Sequence, residues 1–242
     1  MDRWLGLLRS LVIYHKPATR RAWRQFYAEI LSDGDLAFDV GAHVGTRARA
    51  MRAAGARVVA LEPQALFARF LRRTLPRDIT LIEAAAGGAE SEAVMAVSSR
   101  HPTVSSLHAD FVSGAASAPG FGHVRWDSEQ KVQVVTLDGL IAAHGLPDYV
   151  KIDVEGFELD VLAGLSQPVP LLSVEFLPGF PDLTLRVMDR LAEIGDYRFN
   201  PIVGEGGRFL WSDWRDGSAV AEWLSGLPPE SESGDLFARL SR

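Results

Sequence analysis

Leu36-Ala-Phe-Asp-Val-Gly-Ala-His-Val-Gly45 is a short apolar run, broken only by Asp39, that ends in a turn bracketed by two glycines. Thr46 to Ala54 follows with helical composition, and Arg57-Val-Val-Ala-Leu61 is a second apolar run closed by Glu62-Pro63. Ala65 to Leu75 predicts another helix, and Ile79-Thr-Leu-Ile82 a third strand. Strand and helix alternate with short connections, which predicts a parallel sheet with helices on both faces. The strands are continuously apolar rather than alternating, as expected where both faces are covered.

The same rhythm resumes downstream. Val132–Val135, Tyr149–Asp153 and Leu171–Phe176 predict strands, and Leu137–Ala143, Phe157–Ala163 and Leu183–Ile194 predict helices. Tyr197–Phe199 and Arg208–Trp211 predict a closing antiparallel hairpin around the Gly204–Gly207 turn. Residues 98–130 break the pattern and are rich in Ser, Gly, Ala and Pro, which predicts a lid or acceptor loop. The expected organisation is a helical extension over 1–33, an α/β domain over 34–227 and a C-terminal tail over 228–242, loose over 228–234 and with a short apolar end at Leu236–Leu240.

Composition narrows the function. The chain has 242 residues, of which 47% are hydrophobic and 23% charged, as in an ordinary globular protein. It contains no cysteine, which excludes disulfides, thiolate metal sites and a cysteine nucleophile and fits a cytoplasmic location. A net charge of −6 argues against a nucleic-acid partner. No apolar run approaches the roughly 18 residues that span a bilayer.

The glycine turn restricts the ligand. A strand, a tight turn and a helix N-terminus form a nucleotide-type site. His43 and Thr46 stand where a dinucleotide fingerprint requires glycine, and no P-loop is present. What remains is Asp39-Val-Gly41-Ala42-His43-Val-Gly45-Thr46, with Glu62-Pro63 after the second strand and Glu83-Ala84 after the third. This resembles the S-adenosylmethionine (SAM) site of class I methyltransferases. The resemblance implies that Asp39 serves the amino-acid portion of SAM, Glu62 accepts both ribose hydroxyls, and Glu83 and Ala84 lie at the adenine.

The second half is more specific. Lys151-Ile-Asp153-Val-Glu155-Gly-Phe-Glu158-Leu-Asp-Val-Leu-Ala-Gly164 resembles the K-x-D-x-E-G-x-E-x-x-V-L-x-G signature of the FkbM methyltransferases. Thr136-Leu-Asp138, Ser173-Val-Glu175 and Ser105-Ser106-Leu107 resemble further family elements, so the likeness runs over roughly residues 36–177. Two positions depart from the pattern: His43 replaces the usual Asn, and Gly-Gly follows Ala86 where Gly-Asp is usual.

The resemblance implies a Rossmann-like, seven-stranded, mostly parallel sheet with an antiparallel terminal strand. It also implies SAM-dependent methylation of a hydroxyl on a sugar, glycan or secondary metabolite. An alcohol needs alignment and proton removal. Asp153 is the first candidate for the base or for orienting the acceptor, Glu155 the second, and Lys151 is placed to keep an acid ionised. Ser105, Ser106 and Glu175 are candidates for the acceptor side, with His101, His108, His123 and Trp126 in the same irregular segment. Asp153 and Glu175 end neighbouring strands and are candidates for Mg²⁺. Glu158 reads as a first-turn helix acid. Two other readings stand beside this one: N-methylation on the same sheet, against which the absence of an N/D-P-P-Y/F motif weighs, and a SAM-binding scaffold without catalysis.

Charge is uneven along the chain, with 14 Lys/Arg against 6 Asp/Glu in residues 1–77. Arg47, Arg49 and Arg52 are expected on a solvated helix surface. Trp4, Leu5, Leu7, Leu8, Leu11 and Val12 form an apolar stripe, which fits a helix packed on the domain or one lying peripherally on a membrane through Arg3, Arg9 and Lys16.

Overall fold

A computed structural model describes residues 16–98 and 127–241. The apolar stripe of residues 1–14, Ser105, Ser106, the three histidines and Trp126 lie outside the described residues.

The first half builds α1 (Pro17–Ile30), β1 (Leu36–Val40), α2 (Thr46–Ala53), β2 (Arg57–Leu61), α3 (Ala65–Thr74) and β3 (Thr80–Ile82). Then come β4 (Ala85–Ala86), β5 (Ser91–Val97), β6 (Ser128–Val135), α4 (Leu137–His144), β7 (Tyr149–Ile152) and α5 (Glu158–Ala163). The chain closes with β8 (Leu171–Phe176), α6 (Pro181–Ile194), β9 (Tyr197–Val203), α7 (Gly217–Ser225) and β10 (Gly234–Leu240).

Among the described residues, seven strands form one sheet in the order β3-β2-β1-β7-β8-β10-β9. β1, β2, β3, β7 and β8 run parallel, while β10 is antiparallel to both β8 and β9. All five residues of β1 are buried, as continuous apolar character predicts for a central strand. The strand order reverses around β1 and β7, so the carboxyl ends of these strands open a crevice at the switch point. β4, β5 and β6 form a second, smaller sheet, in which β5 and β6 pair antiparallel.

The core has two layers. On one face, Phe38, Val40, Ile152, Val174 and Phe176 pack with the buried sides of α5 and α6. On the other, Trp23, Phe26 and Tyr27 of α1 pack with Tyr149 and Phe237. The Tyr149 and Phe237 rings stack with centroids 5.8 Å apart and planes 5° from parallel. Trp23 and Tyr27 are fully buried, so α1 is part of the domain core rather than an extension added to it.

Two expectations about the C-terminal third are corrected. Residues 234–240, read as part of the C-terminal tail, form a strand inserted between β8 and β9. Arg208–Trp211 is not the hairpin partner of β9. The Leu210 amide does donate to the Pro201 carbonyl at 2.8 Å. Proline has no amide hydrogen with which to continue a ladder on that edge. The Asn200 side chain instead grips the backbone of Trp211 on both sides, donating to its carbonyl at 2.9 Å and accepting from its amide at 3.1 Å.

Candidate functional site

The crevice at the carboxyl edge of the sheet is a cavity with two ends. One end carries Glu62, Pro63, Gln64, Ala84, Ala85 and Met95, and the other Arg47, Lys151, Asp153, Glu175, Glu205 and Ser233. Gly41, Ala42, His43 and Thr46 line the stretch between.

The turn after β1 is forced by backbone geometry. Gly41 has φ +86°, and a Cβ there would meet the Asp153 carbonyl oxygen at 1.8 Å. Gly45, at φ +74°, leads into α2, and its amide donates to the Ala42 carbonyl. Gly45 shapes the turn without lining the cavity. His43 is also left-handed, at φ 50°, and its ring packs on Phe67 with centroids 4.2 Å apart.

Glu62 is buried where β2 ends. Its carboxyl accepts from the His43 amide at 2.7 Å and from the Gln64 amide at 2.8 Å. Loss of water outweighs these two bonds and pushes its pKa up to about 8. The remaining lone pairs are available to a diol donor.

Two expected cofactor residues lie elsewhere. Asp39 is fully buried and does not line the cavity; its Oδ1 lies 3.9 Å from Lys151 Nζ. Glu83 is exposed and paired with Arg72 of α3, with Arg72 Nε donating at 2.7 Å. Ala84, the next residue, lines the cavity instead. Successive residues of extended chain point to opposite sides, and the arginine on α3 captures the outward one.

The signature segment builds the far wall. Lys151 is nearly fully buried and donates to Asp153 Oδ2 at 2.8 Å. Burial lowers its pKa, but Asp153 and Asp39 outweigh that and hold it above its ordinary value. Burial likewise raises the pKa of Asp153, yet the Lys151 ammonium prevails and keeps it below the usual carboxylate range. Glu155 and Glu175 are pushed well up, first by removal from water and then by the Asp153 charge. Oxygens of Asp153, Glu155 and Glu175 come within 4.8 Å of one another.

Glu158 is a first-turn helix acid, as expected, but one turned away from solvent. It is buried and accepts from the Val154 amide at 3.3 Å and the Gly156 amide at 3.2 Å, tying down a turn in which Glu155 has φ 55° and Gly156 φ 90°. The Thr-Leu-Asp element is structural too: Thr136 caps α4, Leu137 enters the core, and Asp138 accepts from the Ser166 amide.

Sequence reasoning missed two residues. Arg47, expected on a solvated face, lies against the Trp23 ring and pairs with Asp235 at 2.9 Å and Glu205 at 3.3 Å. Glu205 sits in the Gly204–Gly207 turn and accepts from Trp23 Nε1 at 2.7 Å. The one local signal was an arginine two positions past the glycine turn, too little to show that it folds inward.

A family model, the methyltransferase FkbM domain, matches residues 39–199. The chain belongs to the FkbM methyltransferase family. That span takes in the glycine turn, Glu62 and the whole Lys151–Gly164 segment, so the FkbM domain contributes residues to both ends of the cavity. Arg47 and Glu62 lie within it, whereas Glu205, Ser233 and Asp235 lie beyond it. No curated protein matches the chain. Among solved structures, it is similar to magnesium protoporphyrin IX methyltransferase from Synechocystis PCC 6803 with bound SAM. The identity is 12%, covering 99% of this chain and 90% of that one, with a TM-score of 0.48. It is also similar to precorrin-6y C5,15-methyltransferase from Geobacter metallireducens GS-15, at 13% identity over 92% and 87% of the two chains and a TM-score of 0.47. Among the described residues of this FkbM protein, no helix is long and apolar enough to cross a membrane.

Proposed function

We propose that this FkbM methyltransferase transfers the methyl group of SAM to a hydroxyl oxygen of a sugar, glycan or secondary-metabolite acceptor, beside Asp153. The observation that carries the reading is the Lys151–Asp153 pair, 2.8 Å apart, on the far side of the cavity from Glu62. When bound, SAM supplies a methyl carbon already activated by a sulfonium, which departs as a neutral thioether. The residues fit such a donor. Gly41 presents bare backbone to the cavity, and Glu62 is a buried acceptor with lone pairs to spare for ribose hydroxyls.

Asp153 accepts a hydrogen bond from the acceptor hydroxyl and takes its proton as the oxygen–carbon bond forms. Lys151 keeps Asp153 ionised at neutral pH, and Asp39 holds Lys151 in place from below. Glu155 and Glu175, whose carboxyls burial and the Asp153 charge push toward the neutral form, face the acceptor side as hydrogen-bonding groups for its other oxygens. Ser105 and Ser106 belong to the proposed acceptor side by family likeness alone.

The test is Asp153→Asn. SAM affinity by calorimetry stays within about threefold, while turnover on a panel of deoxysugars and hydroxylated metabolites falls by about 10²–10⁴, the range for losing a general base. Undiminished turnover in the variant overturns the role of Asp153.

A second reading adds Mg²⁺ on Asp153, Glu155 and Glu175, whose oxygens are close enough to share an ion. Turnover that falls on chelation and returns with Mg²⁺ supports it. Activity indifferent to thorough chelation removes it.

A further inference from the structure

We infer that Arg47 is the anchor for the α-carboxylate of the methyl donor, with Glu205 taking the adjacent α-ammonium. The inference rests on the SAM reading above and adds two residues outside every motif that pointed to it.

Among the described residues, two cations with a permanent charge line the cavity, Lys151 and Arg47. Lys151 is committed to Asp153 at 2.8 Å and Asp39 at 3.9 Å. Arg47 uses Nη2 for Asp235, at 2.9 Å, and for Glu205, at 3.3 Å. Its Nη1 is buried and has no hydrogen-bond partner. A buried charged donor left unsatisfied is costly, and a small turn of the guanidinium toward the cavity that Arg47 lines would bring it to a carboxylate.

The donor's chemistry matches. Its amino-acid tail is a zwitterion, and the carboxylate is its one anionic group. A guanidinium offers a planar fork suited to that group, better than an ammonium would. The fork is held before any ligand arrives. Trp23 lies under the guanidinium face, and Trp23 Nε1 fixes Glu205 at 2.7 Å, beside Arg47. With Glu62 at the opposite end holding the ribose, a tail running past the α2 N-terminus ends between Arg47 and Glu205, both cavity residues. This also accounts for the burial of α1, which supplies Trp23.

Three ligands separate the parts: SAM, decarboxylated SAM, which lacks only the carboxylate, and 5′-methylthioadenosine, which lacks the whole tail. By calorimetry the native protein prefers SAM over decarboxylated SAM by about 10- to 100-fold, the range for a charge-assisted hydrogen-bonded pair. In Arg47→Met that preference collapses to within about threefold, while 5′-methylthioadenosine binds as before. Because Arg47→Met strands the buried Asp235 carboxyl, the double variant Arg47→Met with Asp235→Asn repeats the measurement without that charge. Glu205→Gln weakens SAM and decarboxylated SAM alike and spares 5′-methylthioadenosine.

A native protein that binds all three adenosyl ligands but does not distinguish SAM from its decarboxylated form overturns the role of Arg47 and leaves the SAM reading intact. So does a preference that survives in the double variant. A native protein that binds none of the three overturns the SAM reading, and this inference with it.

Discussion

A methyl group on Gly41 would sit 1.8 Å from the carbonyl oxygen of Asp153. The glycine turn after β1 and the end of β7 are therefore in direct backbone contact, and the donor-facing turn and the proposed base are positioned by one packing event. The Asp153 amide also donates to the Val40 carbonyl at 3.0 Å, which closes the contact from the other strand.

Gly41→Ala combines that overlap with a left-handed φ of +86°. Overpacking costs about 1–3 kcal/mol and the left-handed backbone about 1–2 kcal/mol. The variant is expected to melt at a clearly lower temperature and to lose SAM affinity even where it remains folded. Calorimetry below its melting temperature measures the second effect separately from the first.

Lys151→Met removes the cation that holds Asp153 ionised. Burial then acts without opposition and raises the Asp153 pKa. In the native protein, whose Asp153 pKa is below the usual carboxylate range, this group leaves kcat/KM flat through neutral pH. In the variant kcat/KM falls as pH drops through the raised value, so the acid limb of the profile moves to higher pH. A variant whose acid limb stays in place contradicts the pairing.

Glu62 gives a stability signature with a definite sign. Its folded pKa is about 8, raised by burial above the ordinary 4.5. The folded state therefore keeps a proton that the unfolded chain releases. The contribution is whole below about pH 4.5 and is lost as pH rises to about 8. Melting temperatures of the ligand-free protein between pH 5 and 9 should fall more steeply than those of Glu62→Gln. The same substitution should weaken SAM binding, since the glutamine amide cannot accept from two backbone donors and a diol together.

Removal of residues 234–242 tests the inserted strand. β10 lies between β8 and β9 and buries Leu236 and Phe237. The deletion leaves two strands without their shared partner, and no cooperative melting transition is expected. Phe237→Ala, at about 3–5 kcal/mol, should fold but melt much lower.

The local pattern of the chain determined the α/β class, because strands buried on both faces read as continuous apolar runs wherever they fall. It also placed Gly41, Glu62, Lys151 and Asp153 in motifs whose members are neighbours in sequence or at strand ends. Tertiary structure alone decided what depends on pairing between distant segments. The insertion of β10 beside β8 has no local signal, since a short apolar end reads alike as tail or strand. Arg47 turns inward because Asp235, 188 residues away, and Trp23 of α1 meet it there. Glu83 turns outward because strand alternation and Arg72 take it away from the cavity that Ala84 enters. Periodicity is a property of neighbours along the chain, whereas the direction and charge partner of a buried side chain are set by the elements that close over it.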